Sequence, residues 1–170
     1  PTEDCPICMI PLSLAMDESV FQTCCGMRIC YGCIHTMIID AASRGKKKEE
    51  INSCAFCRRP AATAEENIKR IKSLMENGNA TAFGVQAGRY ANGSDGMPQN
   101  RAKANELWLK AGELGCANAY SRLGYSFSNG MGVEANKKKA KHYYEIAAMN
   151  GDVQARYNLG MLESNAGNHQ

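Results

Sequence analysis

The sequence predicts two unlike parts in one chain: a small cysteine-rich α+β module, then an all-α solenoid of helical repeats. Two observations lead there. Eight of the nine cysteines fall between Cys5 and Cys57, and Cys116 stands apart from them. Beyond residue 78, small and aromatic residues recur at an offset of 36, the scale of helix pairs that stack on their neighbours. A chain of 170 residues, 44% hydrophobic and 22% charged, has the composition of a globular protein and room for two small domains. No apolar run reaches the ~20 residues of a membrane span, so no membrane partner is expected. Pro1 as first residue reads as the start of an excised segment.

The cysteines are taken first. Three CxxC pairs occur: Cys5–Cys8, Cys30–Cys33 and Cys54–Cys57. Such a pair places two thiolates where one Zn²⁺ can take both, at Zn–S distances near ~2.3 Å. Adjacent Cys24 and Cys25 are poor disulfide partners for each other, yet both can reach one metal. The competing reading is a disulfide-stapled secreted module, and these spacings argue against it. Two Zn²⁺ are therefore expected, in a reducing compartment inside the cell, cytoplasmic or nuclear. Eight thiolates with two such ions take the formal charge from +3 to about −1. That near-neutral form argues against nucleic acid as a partner.

The cysteine order, CPIC (5–8), CCGMRIC (24–30), YGC (31–33) and CAFC (54–57), resembles the RING finger family in its all-cysteine variant. The resemblance covers residues 1–62. It implies interleaved sites, with Cys5, Cys8, Cys30 and Cys33 holding one zinc and Cys24, Cys25, Cys54 and Cys57 the other. His35 is the one nearby alternative to Cys24 or Cys25 as ligand. The adjacent second pair, Ala55 where proline is common, and the lack of tryptophan after Cys33 depart from the family pattern. FYVE-type and plant-homeodomain fingers fit less well, since the first asks for a basic histidine-containing motif and the second for a histidine at the place of Cys30.

Members of the RING family that act as ubiquitin ligases have no nucleophile of their own. They hold a charged ubiquitin-conjugating enzyme in a reactive pose, an effect of positioning. Carried over residue by residue, Ile7, Met37, Ile38 and Pro60 would contact the conjugating enzyme. Arg58, directly after the last cysteine, would be the basic linchpin between enzyme and ubiquitin. Ile7 and Ile38 have a second reading as core residues, and Arg58 with Arg59 as a solvated basic pair. Lys46–Lys48 reads as a charged loop tip in water.

In the second half, Gly88, Gly124 and Gly160 align at the offset of 36, as do Phe83, Ala119 and Ala155, and Gly96 with Gly132. Helices are expected near 117–129 and 136–149, with turns at 130–133 and Asn150–Gly151. The stretch LGYSFSNGMGVEANKKKAKHYYEIAAMNG resembles the Sel-1-like repeat, a relative of the tetratricopeptide repeat. Units are read at 79–115 and 116–151, with a partial one over 152–170. Cys116 is expected to pack between helices, and Lys137–Lys139 and Lys141 to form a solvent face. Thr63-Ala-Glu-Glu66 looks like a capping box, so 63–78 is read as a connecting segment whose helix caps the first repeat. Since about three repeats are usually needed for stability, the native protein is expected to continue beyond Gln170. The resemblances together imply a RING-type ubiquitin ligase whose repeats bind an unknown protein substrate or partner. The alternative is a non-enzymatic zinc-binding adaptor.

Overall fold

The computed structural model describes residues 4–12 and 19–165, and the chain divides into two compact units, 1–76 and 77–170. In the first unit, β1 (Ser19–Gln22) and β2 (Met27–Cys30) form an antiparallel hairpin with Ser19 opposite Cys30. Its turn closes through Gly26, whose N–H donates to Gln22 O at 2.8 Å with φ of 72°. Left-handed backbone of that kind suits glycine. Strand β2 runs directly into helix α1 (Tyr31–Ser43), capped by Cys30. A loop with exposed Lys46 and Lys47 leads to the short α2 (Lys48–Ile51). Helix α3 (Ala64–Glu76) starts where the capping box predicts, Thr63 Oγ1 accepting from Glu66 N–H at 3.2 Å. It groups with this first unit, where Thr23 Oγ1 donates to Asn67 Oδ1.

The core of this unit is thin. Cys5, Leu12, Ile29, Cys54 and Ala55 are buried, and Ile34, Met37 and other cysteines pack around them. Among the described residues, Leu12 and Ile29 are the sizeable aliphatic side chains buried in this cluster, with Ile71 of α3 buried outside it, little apolar area for a segment this short. Ile7 and Ile38, given a core reading from sequence, are instead exposed by 44% and 39%.

The second unit is a run of antiparallel helices: α4 (Ala80–Asn92), α5 (Arg101–Glu113), α6 (Ala117–Asn129), α7 (Lys137–Met149) and α8 (Val153–Asn165). Asparagine begins three of them. Asn79, Asn100 and Asn136 accept from the N–H groups of Ala82, Lys103 and Lys139, worth about 1 kcal/mol each. Buried Asp152 does the same for Ala155 at 2.7 Å and receives Asn118 Nδ2 at 3.4 Å. Gly93 and Gly130 end α4 and α6 in left-handed conformation, the usual glycine stop. Alanines fill the close contacts between helices, among them Ala82, Ala87, Ala119, Ala140, Ala147 and Ala155. Tyr143 stacks between Tyr120 and Phe127, with ring centroids 6.0 and 5.5 Å away. Lys137–Lys139 and Lys141 are exposed, as the amphipathic pattern predicts. Cys116 sits at the N-cap of α6, with its sulfur beside Gly84.

The repeat register differs from the sequence alignment at one step. Helices α5 and α7, and α6 and α8, are related by 36 residues, but α4 and α6 by 37. The cause is the α4–α5 loop, which carries Ser94 and Asp95 where the α6–α7 loop has Met131 alone. Asp95 adopts φ of 57° and pairs with Arg89 at 2.8 Å. Ala87 is thus the counterpart of Gly124, and Ala82 that of Ala119, in place of Gly88 and Phe83. A Cβ on Gly124 would meet the Tyr144 ring at 2.6 Å, whereas one on Gly88 meets nothing within 4 Å. Gly124→Ala should therefore destabilise the unit by about 1–3 kcal/mol through overpacking. Gly88→Ala should stabilise it by up to ~1 kcal/mol through helix propensity. Thermal melts of the two variants, followed by circular dichroism, compare them, and equal effects would refute the 37-residue step.

Candidate metal centres

Both CxxC pairs at the ends of the cysteine-rich segment fold into the same turn. In the first, Cys5 N–H donates to Ile10 O at 2.9 Å and Met9 N–H to Cys5 O at 2.9 Å. In the second, Cys54 N–H donates to Arg59 O at 2.8 Å and Arg58 N–H to Cys54 O at 3.0 Å. The residue after each second cysteine is left-handed, Met9 at φ 57° and Arg58 at φ 62°. A non-glycine residue there carries strain of about 1–2 kcal/mol, and two matching copies mark a turn imposed by the pairs. The other two pairs use different scaffolds. Cys24 and Cys25 lie in the hairpin turn, with Cys25 N–H donating to Gln22 O at 3.3 Å. Cys30 and Cys33 span the β2–α1 junction, Cys33 N–H donating to Cys30 Sγ at 3.4 Å.

These four scaffolds bring the thiols into two sets. Cys5, Cys8, Cys30 and Cys33 have sulfurs all within 4.8 Å of one another, and so do Cys24, Cys25, Cys54 and Cys57. The sets are interleaved, combining first with third pair and second with fourth. Within them, Cys5–Cys33 and Cys8–Cys30 sulfurs lie 3.9 and 3.8 Å apart, Cys25–Cys54 3.9 Å and Cys24–Cys57 3.3 Å. All nine cysteines are thiols outside any disulfide, and these separations far exceed an S–S bond of ~2.05 Å. A tetrahedral zinc with ~2.3 Å bonds separates its sulfurs by about 3.8 Å, so the donor sets fit that ion in type, number and spacing. His35 is exposed and belongs to neither set.

The electrostatics of the thiols say the same. Burial pushes Cys5 up, but N–H groups of Cys30, Cys8 and Ile7 outweigh it and bring the thiol down to about 6. Cys57 likewise falls to about 7, burial being overcome by the Arg59 N–H and the Cys24 thiol. Their neighbours move the other way. Burial raises Cys24, Cys33 and Cys25, the last to about 11, and the adjacent sulfurs raise them further. Each set thus pairs one thiol favoured as thiolate, Cys5 or Cys57, with thiols that burial first and neighbouring sulfurs next hold up, Cys33 in one and Cys24 and Cys25 in the other. A divalent cation removes that conflict, since it favours every thiolate at once.

The residues expected at a docking surface are distributed around these sets. Ile7 is on the tip of the first turn, and exposed Pro60 follows the second. Ile38 is on the outer side of α1, whereas Met37 is half-buried against the core. Arg58 is exposed and donates from Nη1 to Met37 Sδ at 3.0 Å. Arg59, read from sequence only as a solvated partner of Arg58, donates from Nη1 to Cys24 O at 3.3 Å, and sequence reasoning overlooked Leu12 and Ile29 as the core. Alternation within RIC (28–30) was the available signal for Ile29.

The helices of the second unit match the Sel1 repeat family model over residues 86–116 and 117–152. Residues 86–152 are thus similar to two successive Sel1 repeats. The chain is 32% identical over 106 residues to the ERAD-associated E3 ubiquitin-protein ligase component HRD3B of Arabidopsis thaliana. The match takes in 62% of this chain and 16% of that protein. Among solved structures, a Sel1 repeat protein from Oxalobacter formigenes aligns with TM-score 0.56 and 23% identity over 78% of this chain and 48% of that one. Helicobacter pylori cysteine rich protein B aligns with TM-score 0.56 and 21% identity, over 72% of this chain and 94% of its own. The c5321 protective antigen of uropathogenic Escherichia coli reaches TM-score 0.60 at 23% identity, over 78% and 29%. These likenesses establish the repeat fold, and Sel1 repeats are suited to binding a protein partner.

Two outcomes are expected for the metal. Native mass spectrometry of the reduced protein should find two zinc ions per chain. Cys30→Ser should abolish one and unfold the first unit, because structural zinc contributes on the order of 10–16 kcal/mol. The repeats should keep their helical signal, since each packs mainly on its neighbours. A single ion in the wild type would defeat the two-centre reading.

Proposed function

We propose that the chain is a RING-type ubiquitin ligase, with the first unit receiving a ubiquitin-conjugating enzyme and the Sel1 repeats binding a substrate or partner protein. The observation that carries this reading is the interleaving of two four-thiol sets, which matches the ligand order expected of the RING. Zinc held by Cys5, Cys8, Cys30 and Cys33, and by Cys24, Cys25, Cys54 and Cys57, would supply structure and no chemistry of its own. The exposure of Ile7, Ile38, Pro60 and Arg58 supports a docking surface over a second layer of core. On this reading the zinc-holding thiols work in a reducing compartment inside the cell, cytoplasmic or nuclear. The relative's name as a ligase component adds support for a role in ubiquitin transfer.

Catalysis on this reading is positional. Arg58 would hold the charged conjugating enzyme and its ubiquitin in a reactive pose, and the free energy comes from orientation. A non-enzymatic adaptor is the second reading, favoured by the absence of an aromatic side chain on α1 beyond Tyr31. Aromatics dominate contact hot spots, and a docking face without one there suits scaffolding.

An autoubiquitination assay against a panel of conjugating enzymes separates the two. Transfer should occur with at least one enzyme. Arg58→Ala should reduce it on the order of 10- to 100-fold through lost orientation, with two zincs retained. Ile7→Ala should weaken enzyme binding by at least ~1 kcal/mol, about five-fold, at unchanged zinc content. Silence of the folded, zinc-loaded protein across the panel would favour the adaptor.

A further inference from the structure

We infer that Met37 is the positioning residue for Arg58, and not a contact for the conjugating enzyme; this rests on the ligase reading above. Sequence pattern alone grouped Met37 with Ile38, one residue apart on α1. The two are in different settings. Ile38 is exposed, whereas Met37 is half-buried and packs against the core of Leu12, Ile29 and the thiols. Its sulfur is the acceptor for Arg58 Nη1 at 3.0 Å. The docking role therefore falls to Ile38, and Met37 acts through Arg58.

The surroundings explain why a thioether serves here. Met37 and Arg58 line an open depression together with Asp40, Arg44, Lys46 and Glu50. Both carboxylates in that lining are engaged by other cations, Asp40 by Arg44 at 2.9 Å and Glu50 by Lys46 at 3.8 Å. Arg58 leans on a neutral sulfur instead. A carboxylate would hold the guanidinium in a charge-assisted pair and neutralise it. A thioether is a weak acceptor, so it fixes the direction of the side chain while leaving its charge and its remaining N–H donors for an incoming partner. The backbone contributes as well. Arg58 is left-handed, φ 62°, with its N–H on Cys54 O, so its starting direction is set by the CxxC turn and its end by Met37.

The test separates binding from turnover. Met37→Leu keeps the apolar volume and removes the acceptor. With two zincs confirmed, its affinity for the conjugating enzyme should stay within about two-fold, while single-turnover discharge of ubiquitin falls about two- to ten-fold, the worth of one hydrogen bond. The double variant Met37→Leu/Arg58→Ala should be no slower than Arg58→Ala, because residues acting through one contact are not additive. Weakened binding at unchanged discharge, or additive losses, would overturn the assignment and return Met37 to the docking surface. Should wild-type protein discharge no enzyme, the ligase reading fails, and the contact itself is still tested. The Arg58 side-chain ¹⁵N resonance should be resolved and slow in rotation in wild type and averaged in Met37→Leu. Identical spectra would exclude the contact regardless of activity.

Discussion

Like charge confined in a small volume is the constraint on which the first unit depends. Four sulfurs within 4.8 Å cannot all ionise side by side without a cation, and the thiols respond by dividing into favoured and disfavoured ionisers. Everything else in the unit is arranged to tolerate that crowding. Backbone N–H groups are turned toward Cys5 and Cys57, two residues accept left-handed backbone, and a hairpin and a helix start deliver the remaining thiols. Apolar burial is secondary, since among the described residues little besides Leu12, Ile29, Ala55 and, on α3, Ile71 serves it.

The repeat unit solves the opposite problem. Among its described residues the fully buried charged side chain is Asp152, which caps a helix, and its stability comes from short distances between helices. Glycine and alanine permit those distances, and tyrosine rings fill what remains. Tyr144 shows the tightness, being 3% exposed, with its hydroxyl pushed up to about 12 by burial first and by Tyr125 next. A solenoid of this kind presents broad surface for a partner while the structural work is done by small side chains.

Much of this was legible in the residues. The offset of 36 located α6 and α7 nearly to the residue, because caps, glycines and alanine spacing agree there. It failed for α4, since an inserted residue in a loop leaves the helical pattern intact on both sides and shifts only their relation. Which thiols would share a site was implied by the RING resemblance alone, for the spacing of four cysteine pairs leaves several ways to combine them. What sequence could not separate was Met37 from Ile38. Adjacent apolar residues on a helix differ by a rotation of about 100°, and only the location of the core decides which one faces inward. The backbone of Met9 and Arg58 was equally hidden, for neither residue type advertises a left-handed conformation.

Interleaving also sets an order in time. The chain is synthesised from its N-terminus, so the set ending at Cys33 is complete about two dozen residues before the one ending at Cys57. At ~5–20 residues per second this is on the order of seconds. During that interval Cys24 and Cys25 are already made but lack their partners, and they lie between Cys8 and Cys30, which belong to the set that could take a metal first. A metal held by the earlier set would shorten the loop on which the later pair waits, and the last turn would arrive to a hairpin already held in place.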